Sequence, residues 1–336
     1  MLNQPHKIQT YILAQVARHP SNIAAKVCKK FKVSRMTATR HLNALVSQKK
    51  LIKTGVTSNV VYHLFDARSK TLTIPIAQTL DEFKVCAEYL EPSLRDLPVN
   101  QIRILEYCST ELINNAKDHS LGKNLTLQLS FEKNSTHIQI IDDGIGVFKK
   151  LQRFFHLSDV QEGLLMVTKG RVTTNRLDHT GEGVFFSSRA VDRFILEANE
   201  ICYIKDNVLD EWFYQKSSVK KGSAITLIVH FDCTRQLPEV FKAYTELEDY
   251  QFDKTEILVE LAKLGDERYI SRSQAKRILA DLERFNEITL DFRHIESVGQ
   301  GFVDEVFRVF QHKHPHIKIH YRHANDEVVF MIKRGR

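Results

Sequence analysis

The first seventy residues hold nine Lys and four Arg against a single acid, Asp66, and no Glu at all, a net charge of +12. The whole chain of 336 residues carries +7, so everything after residue 70 carries −5. A charge break this sharp predicts a separate small module at the N-terminus, because so many like charges are tolerable only when spread over the surface of their own unit. A basic block on a mildly acidic protein is also the electrostatic footprint of nucleic-acid binding.

Hydrophobic periodicity gives that block a form. Residues 7–18 place Ile8, Tyr11, Ile12 and Val16 on one helical stripe, and residues 22–31 repeat the pattern with Ile23, Val27 and Phe31. Ser34 is the N-cap expected for a third helix, which buries Ala38, Leu42 and Leu45 and shows Arg35, Met36, Thr37, Thr39 and Arg40 on its other face. Residues 51–65 then read as two strands around a turn at Thr57–Asn59. Over about residues 5–66 this resembles the winged helix-turn-helix of bacterial regulators. The resemblance implies duplex DNA as a partner, with Arg35, Thr37, Thr39 and Arg40 against base edges and phosphates.

Composition narrows the class further. With 43% hydrophobic and 26% charged residues the chain can bury cores for two or three domains. It has no uncharged apolar run near the roughly 18–20 residues of a membrane span, and its N-terminus lacks an apolar signal core. Its five cysteines are odd in number, widely spaced and never in a CxxC pair, which argues against a disulfide framework and for a reducing cytoplasm.

The middle of the chain carries the chemistry. A long helix is expected over NQIRILEYCSTELINNAKDHS (residues 100–120), and it puts Glu111 and Asn115 on one face, four residues apart. A strand pair follows, then DDGIG at 142–146, TGEGVFFSSR at 180–189 and a strand opened by KGSAITLIV at 221–229. In this order the segments resemble the four boxes of the GHKL nucleotide-binding superfamily, which includes gyrase, MutL, sensor histidine kinases and anti-sigma-factor kinases. The resemblance implies ATP and magnesium as cofactors. It assigns Glu111 as the catalytic base and Asn115 as the magnesium ligand, with Asp118 and His119 beside them in the first box. Asp142, Gly144 and Gly146 match the adenine-binding box; Thr180, Gly181 and Gly183 match the phosphate-cradling lid; Gly222 with Ser223 and Thr226 resembles the last box. The stretch 147–180 is long for a connection, as expected of an ATP lid. No phosphoacceptor His on a preceding dimerisation helix is found, which sets the sensor-kinase branch aside.

The last ninety residues alternate strand and helix: a strand at 255–261, a helix at 271–285 capped by Ser271, a strand at 287–292, a helix at 301–310 and a strand at 316–321. LDFRHIESVGQGFVDEVF (290–307) resembles the central strand, loop and helix of STAS domains, in particular the STAS-like domain found behind GHKL modules. In anti-sigma antagonists a Ser at the start of that helix is phosphorylated by a GHKL partner; here Gln300 and Gly301 stand there, and Ser297 is misplaced for the role. His312, His314, His316, His320 and His323 lack the acidic companions of a metal cluster, and the terminal KRGR reads as a solvated tail.

The expected architecture is therefore multidomain α+β. It comprises a winged helix-turn-helix (1–68), a helical linker (69–98), a GHKL, Bergerat-type α/β sandwich (99–235) and a STAS-like α/β domain (250–336). The order resembles a bacterial or phage family of cytoplasmic ATP-binding regulators. The expected function is an ATP-dependent DNA-binding transcription regulator whose STAS-like domain docks other elements or a protein partner. The alternatives are a Ser/Thr protein kinase of the anti-sigma type and a scaffold that holds nucleotide without turnover. Whether ATP is hydrolysed, transferred or only bound stays open, as does homo-oligomerisation.

Overall fold

The computed structural model describes residues 4–16, 18–54, 60–64, 69–132, 134–170, 181–246, 251–263 and 270–335. Thr180 and the turn at Thr57–Asn59 lie outside them. Among the described residues the chain is a mixed α+β protein with three separate sheets, and no helix is long and apolar enough to cross a membrane.

The basic N-terminal block builds a core of its own. Helices α1 (Gln4–Gln15), α2 (Ile23–Phe31) and α3 (Arg35–Ser47) bury Ile8, Ile12, Val27, Leu42 and Leu45 together. The antiparallel pair β1 (Leu51–Thr54) and β2 (Val61–Leu64) adds Leu51 and Tyr62 to it. The first helix begins three residues earlier than the periodicity predicts and stops at Gln15. Ser34 caps α3 as expected, its hydroxyl accepting the Thr37 N–H at 3.1 Å. Fully burying one Leu is worth about 1.5–3 kcal/mol, and truncating Leu42 to Ala, which also leaves a cavity, costs about 2–5 kcal/mol. For so small a unit that is a large part of the available stability.

The central unit is one seven-stranded antiparallel sheet in the order β3-β4-β5-β9-β6-β7-β8. Its edge strand β3 (Lys70–Pro75) lies within the segment expected to be a helical linker, pairing with β4 (Asn124–Phe131) so that Leu72 faces Leu127. The alternation KTLTIP half-buries every second residue, a strand period that the neighbouring helical pattern obscures. Residues 82–94 are helical and continue through Pro92. A wide turn makes room for the proline, with the Glu91 N–H reaching back five residues to the Cys86 carbonyl.

β5 (Ser135–Asp142) and β9 (Ser223–His230) are the central pair. The helices Val99–His119 and Gly183–Ala190 lie against the buried face of the sheet. Strands β6 (Arg193–Ala198), β7 (Ile201–Asp206) and β8 (Glu211–Lys216) complete it.

The C-terminal unit is a parallel sheet of β10 (Lys254–Leu258), β11 (Glu287–Asp291) and β12 (Lys318–Arg322) in that order. β10 ends sooner than the apolar run predicts, because Val259–Ala262 winds into a tight helical turn that keeps Val259 and Leu261 buried. The helix after it spans only Arg272–Leu279, since Asp281 takes a left-handed conformation. The terminal KRGR is not a free tail through Gly335: Lys333–Gly335 close the helix Asp326–Gly335, which buries Val328 and Ile332 and is started by the Asn325 side chain accepting the Val328 N–H at 2.9 Å. Asn is among the residue types preferred at such a cap.

The central and C-terminal units share one continuous hydrophobic core. The helix Leu237–Tyr244, in a stretch assigned to neither, sends Phe241 against Tyr107 (centroids 5.2 Å) and Phe186 (4.5 Å). Phe252 then links Phe185 (4.6 Å) to Phe285 (5.3 Å).

Candidate functional site

A cleft open to solvent lies between the helix Val99–His119, the loop after β5 and the segment Gly181–Val184. Of the residues singled out from the sequence, Glu111, Asn115, His119, Asp142, Gly181 and Gly183 line it. They come from three segments spread over more than seventy residues, and the sheet and its two helices bring them together.

The floor is built around Asp142, at the end of β5. Its Oδ1 accepts the Gly144 N–H at 2.9 Å and its Oδ2 the Ser223 N–H at 3.2 Å. Burial raises its pKa above the ordinary carboxylate value, and the hydrogen bonds from Gly144 and Ser223 oppose that rise. Gly222 has φ +73° and crosses so close that a β-carbon there would lie 2.0 Å from the Asp142 carbonyl oxygen. Its own N–H donates to the Gly144 carbonyl at 2.8 Å. Gly144 and Gly222 thus shape the floor without lining the cleft.

Beside this floor Asp143 accepts from Lys123 N (2.6 Å), Asn124 N (3.0 Å) and Asn124 Nδ2 (2.8 Å). The backbone and side-chain donors of Asn124, with help from Lys123, hold its pKa down to about 2. The two adjacent carboxylates are therefore set apart by their surroundings, one buried at the cleft and one fastening the loop. Asn199 fastens it from the other side, donating to the Ile145 carbonyl at 2.9 Å and accepting the Lys149 N–H at 3.0 Å. Nothing in the local sequence marks Asn199, because its role comes from a turn between β6 and β7.

Three further residues depart from expectation. Thr226 faces away from the cleft: its hydroxyl meets Gln139 Nε2 at 3.1 Å on the opposite side of the sheet, while its neighbours in alternation, Ser223 and Ile225, line the cavity. Asp118 is exposed and does not line the cleft, but its charge acts on Lys150, which does. Gly146 lies under Asn199 and not in the cleft.

Among the lining residues that no sequence motif marks, Lys150 brings a cationic side chain. Val147, Lys150 and Leu151 lie at helical spacing on one face of Val147–Phe155, and that spacing was the available signal. Burial lowers the Lys150 pKa and Asp118 opposes the shift. The cleft holds Glu111, Asp142 and Glu182 against Lys150 and His119. A polyphosphate entering it therefore needs a cation in company, and the side-chain amide of Asn115 beside the carboxylate of Glu111 is a donor set that suits a hard divalent ion. No group of three or more His, Cys, Asp or Glu side chains poised for a metal exists among the described residues.

On the N-terminal unit, Arg35, Met36, Thr39, Arg40 and Asn43 line a shallow exposed depression along α3. Met36 is 82% exposed. Thr37 differs from the others: its hydroxyl sits 3.0 Å from that of Ser34, inside the helix cap. His41, on the inner side, has its pKa lowered by burial and by the Arg40 charge.

Residues 274–329 match a family model described as a STAS-like domain of unknown function (DUF4325). The match runs from the helix Arg272–Leu279 into the final helix and so lies within the C-terminal unit. No curated protein is significantly similar to the chain.

Proposed function

We propose that this chain is an ATP-binding regulator of DNA, with a winged helix-turn-helix at its N-terminus, a GHKL-type nucleotide module at its centre and the STAS-like segment behind it. The observation that carries this reading is the meeting of Glu111, Asn115, Asp142, Gly181 and Gly183 around one cleft. Ionised Asp142 offers only acceptors, which suits the exocyclic amino group of adenine. Gly181 and Gly183 stand at the N-terminus of the helix Gly183–Ala190, where unpaired N–H groups and the helix dipole favour phosphate. Lys150 adds a cationic side chain at the cleft. Asn115 would hold a magnesium ion, which when bound neutralises phosphate charge. Glu111, one turn earlier on the same helix, is placed to take a proton from a water or an acceptor hydroxyl.

The basic face of α3 supports duplex DNA as the partner, with Arg35 and Arg40 neutralising phosphates. Nucleotide alters that partnership only by binding two states of the protein with different affinity. A protein-kinase reading acting on a partner draws on the same Glu111; phosphorylation in cis is disfavoured, because Ser297, near the acceptor position of STAS domains in sequence, is only 8% exposed. Incubation with magnesium and ATP labelled at the γ-phosphate separates the readings. Label released as free phosphate supports the ATPase, label on an added protein supports the kinase, and no released or transferred label supports a nucleotide-holding scaffold.

A further inference from the structure

Two helices that line the cleft are seated on the C-terminal unit. Val160–Lys169 reaches the cavity at Val167, and Gly183–Ala190 at Gly183 and Val184. The first is held near both ends. Near its start, Glu162 pairs with Arg277 Nε at 3.5 Å. At its end, the Lys169 carbonyl accepts the Thr255 hydroxyl at 2.6 Å. The Lys169 side chain, 4% exposed, sends its Nζ to the carbonyls of Arg277 (2.8 Å) and Ala280 (3.1 Å). Those carbonyls belong to the C-terminal end of Arg272–Leu279, the negative end of its dipole. The second helix is held by Phe185 and Phe186, whose rings meet Phe252 at 4.6 and 5.0 Å.

A helix bonded in this way has no independent position: moving Val167 requires moving Lys169, and moving Lys169 strips the Arg277 and Ala280 carbonyls of their donor. The adenine floor is built differently, its hydrogen bonds joining β5, β9 and the loop 142–147 to one another.

We propose that the STAS-like unit is a working part of the nucleotide cleft, with Lys169 as the positioning residue that couples the two. A ligand or modification on the face of Arg272–Leu279 then changes affinity for the phosphate end of the nucleotide and leaves the base end alone. This rests on the nucleotide reading above. Lys169 does not touch the cleft; it acts through Val167.

Calorimetric titration of the full chain with adenosine and with a non-hydrolysable ATP analogue plus magnesium tests it, on wild type, Lys169→Met and the milder Thr255→Val. Lys169→Met is expected to weaken the ATP analogue about tenfold, within the range usual for coupled sites, and to leave adenosine within about twofold. Thr255→Val shifts the same ratio in the same direction by less, and it keeps the proposal open to test if Lys169→Met fails to fold. A general loss of stability would weaken both ligands equally. Equal effects on the two ligands, or no effect in either variant, overturn the coupling while leaving the nucleotide reading intact; a wild type that binds neither ligand overturns both.

Discussion

A β-carbon built on Gly183 would stand 2.4 Å from Oε2 of Glu111 and 3.2 Å from Nδ2 of Asn115. The backbone that opens the helix Gly183–Ala190 therefore lies flush against Glu111 and Asn115, and the absence of a side chain is what lets it do so. Gly183→Ala sets two effects against each other. Ala in a helix is worth up to about 1 kcal/mol over Gly, whereas the overlap must displace Glu111 or Asn115. The expected result is a variant that folds normally yet binds the ATP analogue at least about tenfold more weakly. Unchanged affinity in calorimetry would mean that this contact has no part in the site.

Asp142 uses both oxygens to accept backbone N–H groups, and only the ionised form has acceptors to spare for a base. Asp142→Asn replaces one acceptor by a donor and should cost at least about tenfold in adenine-nucleotide affinity, near 1.4 kcal/mol. Burial raises its pKa above 3.8, so protonation begins at a higher pH than for an ordinary Asp. Affinity of the wild type should fall on acidification before that of ordinary carboxylate-dependent sites. A flat affinity down to the ordinary Asp pKa, with the protein still folded, would remove Asp142 from the base pocket.

Glu111 and Asn115 should separate chemistry from binding. Glu111→Gln keeps shape and loses basicity, so it should retain ATP and lose about 10²–10⁴-fold of any turnover. If Asn115 holds magnesium as proposed, Asn115→Ala should weaken nucleotide binding itself. Equal turnover in wild type and Glu111→Gln would show that Glu111 is not the base.

The exposed face of α3 predicts duplex binding that weakens steeply with salt. Each phosphate neutralised contributes about −0.9 to the slope of log K against log salt. Arg35→Ala with Arg40→Ala should therefore flatten that slope by up to about two, while Thr37→Ala, whose hydroxyl serves the cap, should act mainly on helix stability at about 0.5–2 kcal/mol or less. Fluorescence anisotropy of a labelled duplex over a salt series reads both. An unchanged slope in the double variant would move the DNA surface elsewhere.

Lys169 makes stability depend on pH. Burial draws its pKa from 10.5 to about 7, with the charges of Asp281, Glu283 and Glu162 opposing the shift. Between those two values the unfolded chain keeps a proton that the native one releases, so native stability gains as pH rises through that window, and the penalty of the buried charge is complete below it. Either form of the amine can still donate to both carbonyls. The melting temperature of wild type relative to Lys169→Met should climb from about pH 7 to about pH 10. A constant difference would show that the two carbonyls hold the ammonium charged.

The patterns readable in the sequence are the local ones. The stripes of Ile8, Ile12 and Val27 and the Ser34 cap foretell the N-terminal helices, because a 3.6-residue period and a cap are properties of a few neighbouring residues. Glu111 and Asn115 are visible as one face of one helix for the same reason. The strand β3 is not foretold, since its six residues become a strand only by pairing with β4, some fifty residues on. The direction of Thr226 follows from the register of β9 against β5, and a slip of one residue would have turned it inward. Lys169 reads as an ordinary basic residue at a helix end. Only tertiary packing, which lays that end against the carbonyls of Arg277 and Ala280, makes it a buried link between two units.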